Sequence, residues 1–160
     1  MYTRLWLDYD TDDNGCIVSF DEKLAGNKRV ENAVNELRSC SYLKNLNIVL
    51  GITDDKDLGD EGYRITTSVM GYSIEACTDR GLIFGAFRFI SLYRLSTDKN
   101  INVTEVPQNK LRMLNHWDNM DGSIERGYSG NSFFFENNDL VINERTKDYA
   151  RILCSLGYNG

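Results

Sequence analysis

From Asn115 to Gly130 the sequence gathers side chains that do chemistry: the imidazole of His116, the indole of Trp117, the carboxylates of Asp118, Asp121 and Glu125, the guanidinium of Arg126 and the amides of Asn115 and Asn119. An indole at the head of such a stretch suits a sugar ring. The C–H faces of a pyranose pack on aromatic rings, while its hydroxyls bond neighbouring Asp, Asn and Glu. The stretch follows an expected strand, and in parallel α/β domains ligand-binding residues collect at the carboxyl ends of strands. The competing reading is a loop folded on its own hydrogen bonds. No Ser/His/Asp spacing is recognisable, so no catalytic residue is assigned. The Gly122–Gly127 spacing lacks the following Lys of a phosphate-binding loop.

Two other constellations carry less. Asp10, Asp12, Asn14 and Gly15 match the opening of a calcium loop, but Asp21 stands where a bidentate Glu is required. A solvated turn is the simpler reading. The acidic run of Asp54, Asp55, Asp57, Asp60 and Glu61 also reads as a solvated loop. The four cysteines (Cys16, Cys40, Cys77, Cys154) form no CxxC pair, and His116 is the single histidine, so zinc spacing is missing. Reduced, mostly buried thiols are expected, with no metal and no cofactor.

The whole chain has 160 residues, 41% hydrophobic and 26% charged, with one Pro. That composition excludes collagen, coiled coil and general disorder. A net charge of −6 argues against nucleic-acid partners, which need clustered cations. No apolar run approaches the ~20 residues of a membrane helix, and the N-terminus lacks the apolar core of a signal peptide, so a cytoplasmic product is expected.

The elements follow from periodicity. Leu5, Leu7 and Tyr9 alternate as in a strand, and Cys16 to Phe20 reads as the return strand. Val30, Ala33, Val34 and Leu37 mark one face of a helix capped by Asn27. Leu46 to Leu50 reads as a buried strand. Residues 63–69 and 72–77 alternate around Met70-Gly71, a hairpin signal. A second helix follows Thr78 or Asp79, with Leu82, Ala86, Phe89, Ile90 and Tyr93 on its apolar face. Gly81 and Gly85 share that helix, and close packing on a sheet would offset their cost of about 1 kcal/mol each. After a short strand closed by Pro107, the pattern becomes strand (110–116), polar loop (117–138) and helix (Tyr149, Ile152, Leu153, Leu156) ending at Gly157. The expected fold is therefore an α+β domain, a mixed sheet with two helices over 1–109, followed by a β/α unit over 110–160. Such a unit lacks its second parallel strand, which implies a sequence cut inside a larger α/β domain.

The run from Leu111 through Asn115-His116-Trp117-Asp118-Asn119-Met120-Asp121-Gly122-Ser123-Ile124-Glu125-Arg126-Gly127-Tyr128 resembles the first barrel strand and loop of the microbial α-glucuronidases of glycoside hydrolase family 67. Ser132 to Phe135, Arg145 to Leu153, Leu5 to Tyr9 and Asp79 to Gly85 continue the resemblance. It implies a non-catalytic N-terminal α+β domain and then the first β/α unit of a TIM barrel. It also implies hydrolysis with inversion, releasing (4-O-methyl)glucuronic acid from xylan-derived oligosaccharides. The catalytic carboxylates of that family come from later barrel strands, so this stretch alone is expected to be inactive. Its partners would be an aldouronic acid and the rest of the barrel. By the same resemblance, Trp117 lines the uronic-acid pocket and Glu125 contacts the sugar, with Asp118 and Arg126 as weaker candidates. The alternative from another class is a non-catalytic carbohydrate-binding or scaffold module. A hexosaminidase-like barrel enzyme is a third reading, against which the run from His116 to Tyr128 counts.

Overall fold

The computed structural model describes residues 15–128 and 130–160. The expected strand over Leu5 to Tyr9 and the calcium-like positions Asp10, Asp12 and Asn14 lie outside the described residues. The chain packs as two compact units that divide between Gln108 and Asn109.

In the first unit, five strands form one mixed sheet: β1 (Ile17–Phe20), β2 (Asn47–Ile52), β3 (Tyr63–Ser68), β4 (Gly71–Ala76) and β5 (Val103–Glu105). Their order is β1-β2-β4-β3-β5. β1, β2 and β4 run parallel, while β3 is antiparallel to both β4 and β5. The parallel half arises because helix α1 (Lys28–Arg38) carries the chain from β1 back to the start of β2. Asn27 caps α1 by accepting from the backbone N–H groups of Arg29 and Val30, and Val30, Ala33, Val34 and Leu37 are the buried positions, as their spacing predicts.

Helix α2 (Asp79–Leu95) is capped by Thr78. From Gly81 to Phe87 every residue is buried, because α2 packs against α1 as well as β3 and β4. This is more than the single apolar face expected. The two helix starts are tied together: Asn27 Nδ2 donates to Asp79 Oδ2 at 2.9 Å, and Arg29 pairs with the same oxygen at 3.1 Å. Burial raises the Asp79 carboxyl, but these two bonds and the Arg29 charge outweigh it and hold the group below the usual carboxylate range.

Three expectations are corrected. β2 is not buried on both faces: Ile48 and Leu50 face the core, whereas Val49 is 48% exposed. A strand with helices on one side only needs to be apolar on alternate residues. The hairpin turn is Val69-Met70, one residue earlier than expected, and Gly71 opens β4 with φ +136°. A Cβ at Gly71 would lie 2.1 Å from the carbonyl oxygen of Asn47, so β2 itself demands the glycine there. The acidic stretch is not wholly solvated. Leu58 anchors it in the core at 1% exposure, Glu61 is buried beside Arg80 (3.0 Å), and Asp55 pairs with Arg64. Among the described residues the four cysteines form no disulfide; two are buried and two half-buried. Burial pushes the Cys16 thiol up to about 11.

Close packing of α2 rests on its glycines. A Cβ at Gly81 would stand 2.6 Å from the carbonyl oxygen of Gly62 and 2.7 Å from the Ala76 methyl; one at Gly85 would meet Ile74 Cγ2 at 2.6 Å. Gly81→Ala is therefore expected to destabilise the protein by about 1–3 kcal/mol, despite Ala's better helix propensity. Gly85→Ala, which meets the buried Ile74 Cγ2 and the Tyr63 Cβ, is expected to cost a similar amount. Urea unfolding followed by circular dichroism measures both.

Candidate functional site

The second unit holds the stretch that the sequence singles out. Residues 110–116 form no strand pairing among the described residues, since a strand exists only beside a neighbour. A neighbour nevertheless begins. The Asn159 N–H donates to the Arg112 carbonyl at 2.9 Å, Arg112 N–H donates to Asn159 Oδ1 at 2.8 Å, and Asn159 Nδ2 donates to the Lys110 carbonyl at 2.8 Å. Helix α3 (Glu144–Ser155) lies between these segments in sequence. Asn143 and Thr146 form a reciprocal capping box at its start. At its end Gly157 takes φ +79°, its N–H donates to Cys154 and that of Tyr158 donates to Leu153, the Schellman pattern.

The loop between them is more ordered than a plain polar connection. Two short strands, β6 (Phe135–Glu136) and β7 (Asp139–Leu140), pair around Asn137-Asn138, both at positive φ. That is the type I′ geometry for which a pair of asparagines is suited. Earlier in the loop Asp118 bridges to Ile124 and Ser123 to Asn131. Asn119 N–H donates to the Ser123 carbonyl, and Asp121 accepts from both the N–H and the hydroxyl of Ser123.

Asp118 organises this loop. Its Oδ2 accepts from the Ser132 hydroxyl (2.8 Å) and from the N–H groups of Phe133 (3.0 Å) and Phe134 (2.9 Å). His116 Nε2 lies 3.3 Å from the same oxygen. The Asp118 side chain is 5% exposed, and its Oδ1 is buried with no hydrogen-bond partner among the described residues. Burial raises this carboxyl, but the bonds from Ser132, Phe134 and Phe133 and the neighbouring His116 ring outweigh it, leaving the group below the usual carboxylate range. The other ring nitrogen of His116, Nδ1, sits 3.3 Å from the Tyr149 hydroxyl on α3. The rings of Phe133, Phe134 and Tyr149 contact that imidazole edge-to-face, and the Arg145 guanidinium lies 4.6 Å over the Phe133 ring.

The four residues singled out by the sequence thus divide. Trp117 is 61% exposed and presents its indole to solvent. Glu125 is exposed, at φ +50°; its N–H donates to the Trp117 carbonyl (3.4 Å), and its own carbonyl accepts from Asn119 Nδ2 (2.7 Å). The backbones of Trp117 and Glu125 are therefore bonded to one another. Arg126 is exposed. Asp118 is committed to the loop interior. Sequence reasoning passed over Ser132 and Tyr149, whose hydroxyls complete the bracing. Among the described residues no cluster of His, Cys, Asp or Glu could hold a metal ion, and no helix is long and apolar enough to cross a membrane.

Residues 92–160 match the family model described as the glycosyl hydrolase family 67 middle domain. Over this segment the chain is similar to glycosyl hydrolase family 67. The family 67 match opens in the last turn of α2 and runs through the whole second unit. The chain is also 38% identical over 109 residues to the probable alpha-glucuronidase A of Aspergillus terreus, covering 68% of this chain and 13% of that protein. It is 39% identical over 104 residues to the corresponding Aspergillus oryzae protein (64% and 12%). With the alpha-glucuronidase A of Aspergillus tubingensis it shares 38% identity over 104 residues (64% and 12%). The chain thus spans roughly an eighth of the length of these curated relatives.

Because the Asp118 carboxyl is held below its unfolded value, the stability it contributes is present above the ordinary carboxylate range, at about pH 4. That stability is lost as the pH falls through the lower folded value. Asp118→Asn is expected to weaken the second unit at neutral pH and to flatten its acid dependence. Fluorescence unfolding in a Trp6→Phe background, where Trp117 is the only indole, reads both effects.

Proposed function

We propose that this chain is part of an α-glucuronidase that releases (4-O-methyl)glucuronic acid from xylan-derived oligosaccharides with inversion. The observation that carries the reading is the exposed Trp117 indole, backbone-bonded to the neighbouring Glu125, in a segment similar to family 67. The kinship with alpha-glucuronidases of Aspergillus supports the substrate class. Residues 110–116, α3 and the start at Asn159 are read as the first β/α unit of a TIM barrel. The Asn159–Arg112 backbone bond supports this, because it sets the chain after α3 alongside the segment before it. Residues 1–109 are read as a non-catalytic domain.

In this reading the indole face of Trp117 packs against the C–H face of the uronic acid. The Glu125 carboxylate accepts from sugar hydroxyls. Arg126, exposed on the same turn, is the guanidinium nearest in sequence that could meet the substrate carboxylate. Asp118 acts by holding the loop. Inverting hydrolysis needs a general acid and a general base about 6.5–9.5 Å apart. That pair is assigned to barrel strands beyond this segment, so residues 1–160 alone would not turn over substrate.

Aldouronic acids assayed with the full-length protein and with residues 1–160 test the reading. Turnover by the full-length protein alone is expected. Turnover by residues 1–160 would contradict the assignment of the carboxylates, and turnover by neither would favour a carbohydrate-binding or scaffold module. In the full-length protein, Trp117→Ala is expected to raise KM about tenfold or more, and Glu125→Gln about fivefold, the loss of one hydrogen bond.

A further inference from the structure

We propose that His116 is the positioning residue for Trp117, held with its proton on Nε2 between Asp118 and the Tyr149 hydroxyl. The inference rests on the reading of Trp117 as a sugar platform. The geometry is that of a three-membered relay. Nε2 lies 3.3 Å from Asp118 Oδ2, and Nδ1 lies 3.3 Å from the Tyr149 hydroxyl oxygen. An ionised carboxylate only accepts, so the nitrogen facing it carries the proton. In the neutral ring that leaves Nδ1 as the acceptor for the Tyr149 O–H. The Phe133 and Phe134 rings meet the imidazole edge-to-face, with centroids 6.0 and 5.0 Å away. Among the described residues the ionisable groups facing the ring are Asp118 on its own loop and Tyr149 on α3, with Arg145 behind the Phe133 ring.

The consequence for Trp117 follows from its place between the two members of the relay. Asp118 is in extended pairing with Ile124, and along extended backbone successive side chains point to opposite sides. Asp118 turns inward, with 5% of its side chain exposed, and the His116 side chain, 29% exposed, leans on that carboxylate, while Trp117 between them is an exposed residue. Tyr149 belongs to α3, so the imidazole fastens the tryptophan-bearing rim to that helix through side chains. Loss of either bond frees the ring to rotate and releases the rim.

Residues 1–160 contain one histidine, so the ring nitrogens of His116 can be read without ambiguity by NMR of that uniformly 15N-labelled chain. At a pH where the ring is neutral, the expected proton position is Nε2, with Asp118→Asn weakening that preference. A ring protonated on Nδ1, or an even average of the two forms in the wild type, overturns the proposal. In the full-length protein, Tyr149→Phe, which keeps the ring packing, and His116→Gln, which keeps an N–H donor, are each expected to raise KM about fivefold. Both should leave kcat within about twofold, as expected when substrate binding weakens equally in the ground and transition states. Wild-type KM in both variants, with Trp117→Ala impaired, overturns the positioning role. Wild-type KM in Trp117→Ala itself would instead remove the sugar platform, and with it the functional meaning of the relay, while the NMR result still reports on the bonds of His116.

Discussion

One buried carboxylate governs the second unit. Asp118 Oδ2 receives a hydroxyl and two backbone N–H groups from residues 132–134 and lies beside the His116 ring. A carboxylate withdrawn from water is costly unless such donors surround it. Here those donors come from residues far along the loop, so satisfying the charge closes the loop. The aromatic grouping of His116, Phe133, Phe134 and Tyr149 forms around that closure. The exposure of Trp117 is the other face of the same arrangement: the inward turn of Asp118 beside it determines what is left outside.

The first unit obeys a different constraint, the distance between helix and sheet. Gly81 and Gly85 give up helix propensity, and the close approach of α2 to Gly62, Ala76 and Ile74 is what they gain. This much was readable from two glycines four apart on an apolar helix. The α1 face, its Asn27 cap and the Thr78 cap were readable for the same kind of reason, since each is a local pattern with a local cause. The pairing of β1 with β2 was not, because parallel neighbours are joined through a helix and leave no turn signature. The hairpin turn slipped by one residue because Gly71 is demanded by the neighbouring Asn47 carbonyl, a contact that no inspection of the turn itself reveals.

At the candidate site the residue types were legible and their duties were not. Trp117 and Glu125 stand exposed, while Asp118, adjacent and chemically similar to Glu125, is turned inward. Composition cannot separate a carboxylate that meets a ligand from one that meets Ser132, because the partner lies fourteen residues further along. Tyr149 reads as part of a helical apolar face, and its ring does pack there, yet its hydroxyl reaches the imidazole. The Asn137-Asn138 hairpin did have a local signal, two residues that tolerate positive φ, and it was hidden inside what looked like a long loop.

The seating of α2 has a consequence for how this part of the chain can vary in length. Gly81 sits against a carbonyl oxygen with no room for a Cβ, so inserting or deleting one residue between Ala76 and Gly81 would bring Arg80 or Leu82 into that slot. The tip at Val69-Met70, which projects into solvent, has no such restriction. Length variation in homologous chains would therefore gather at the tip and avoid the short connection into α2, even though both are turns of similar size.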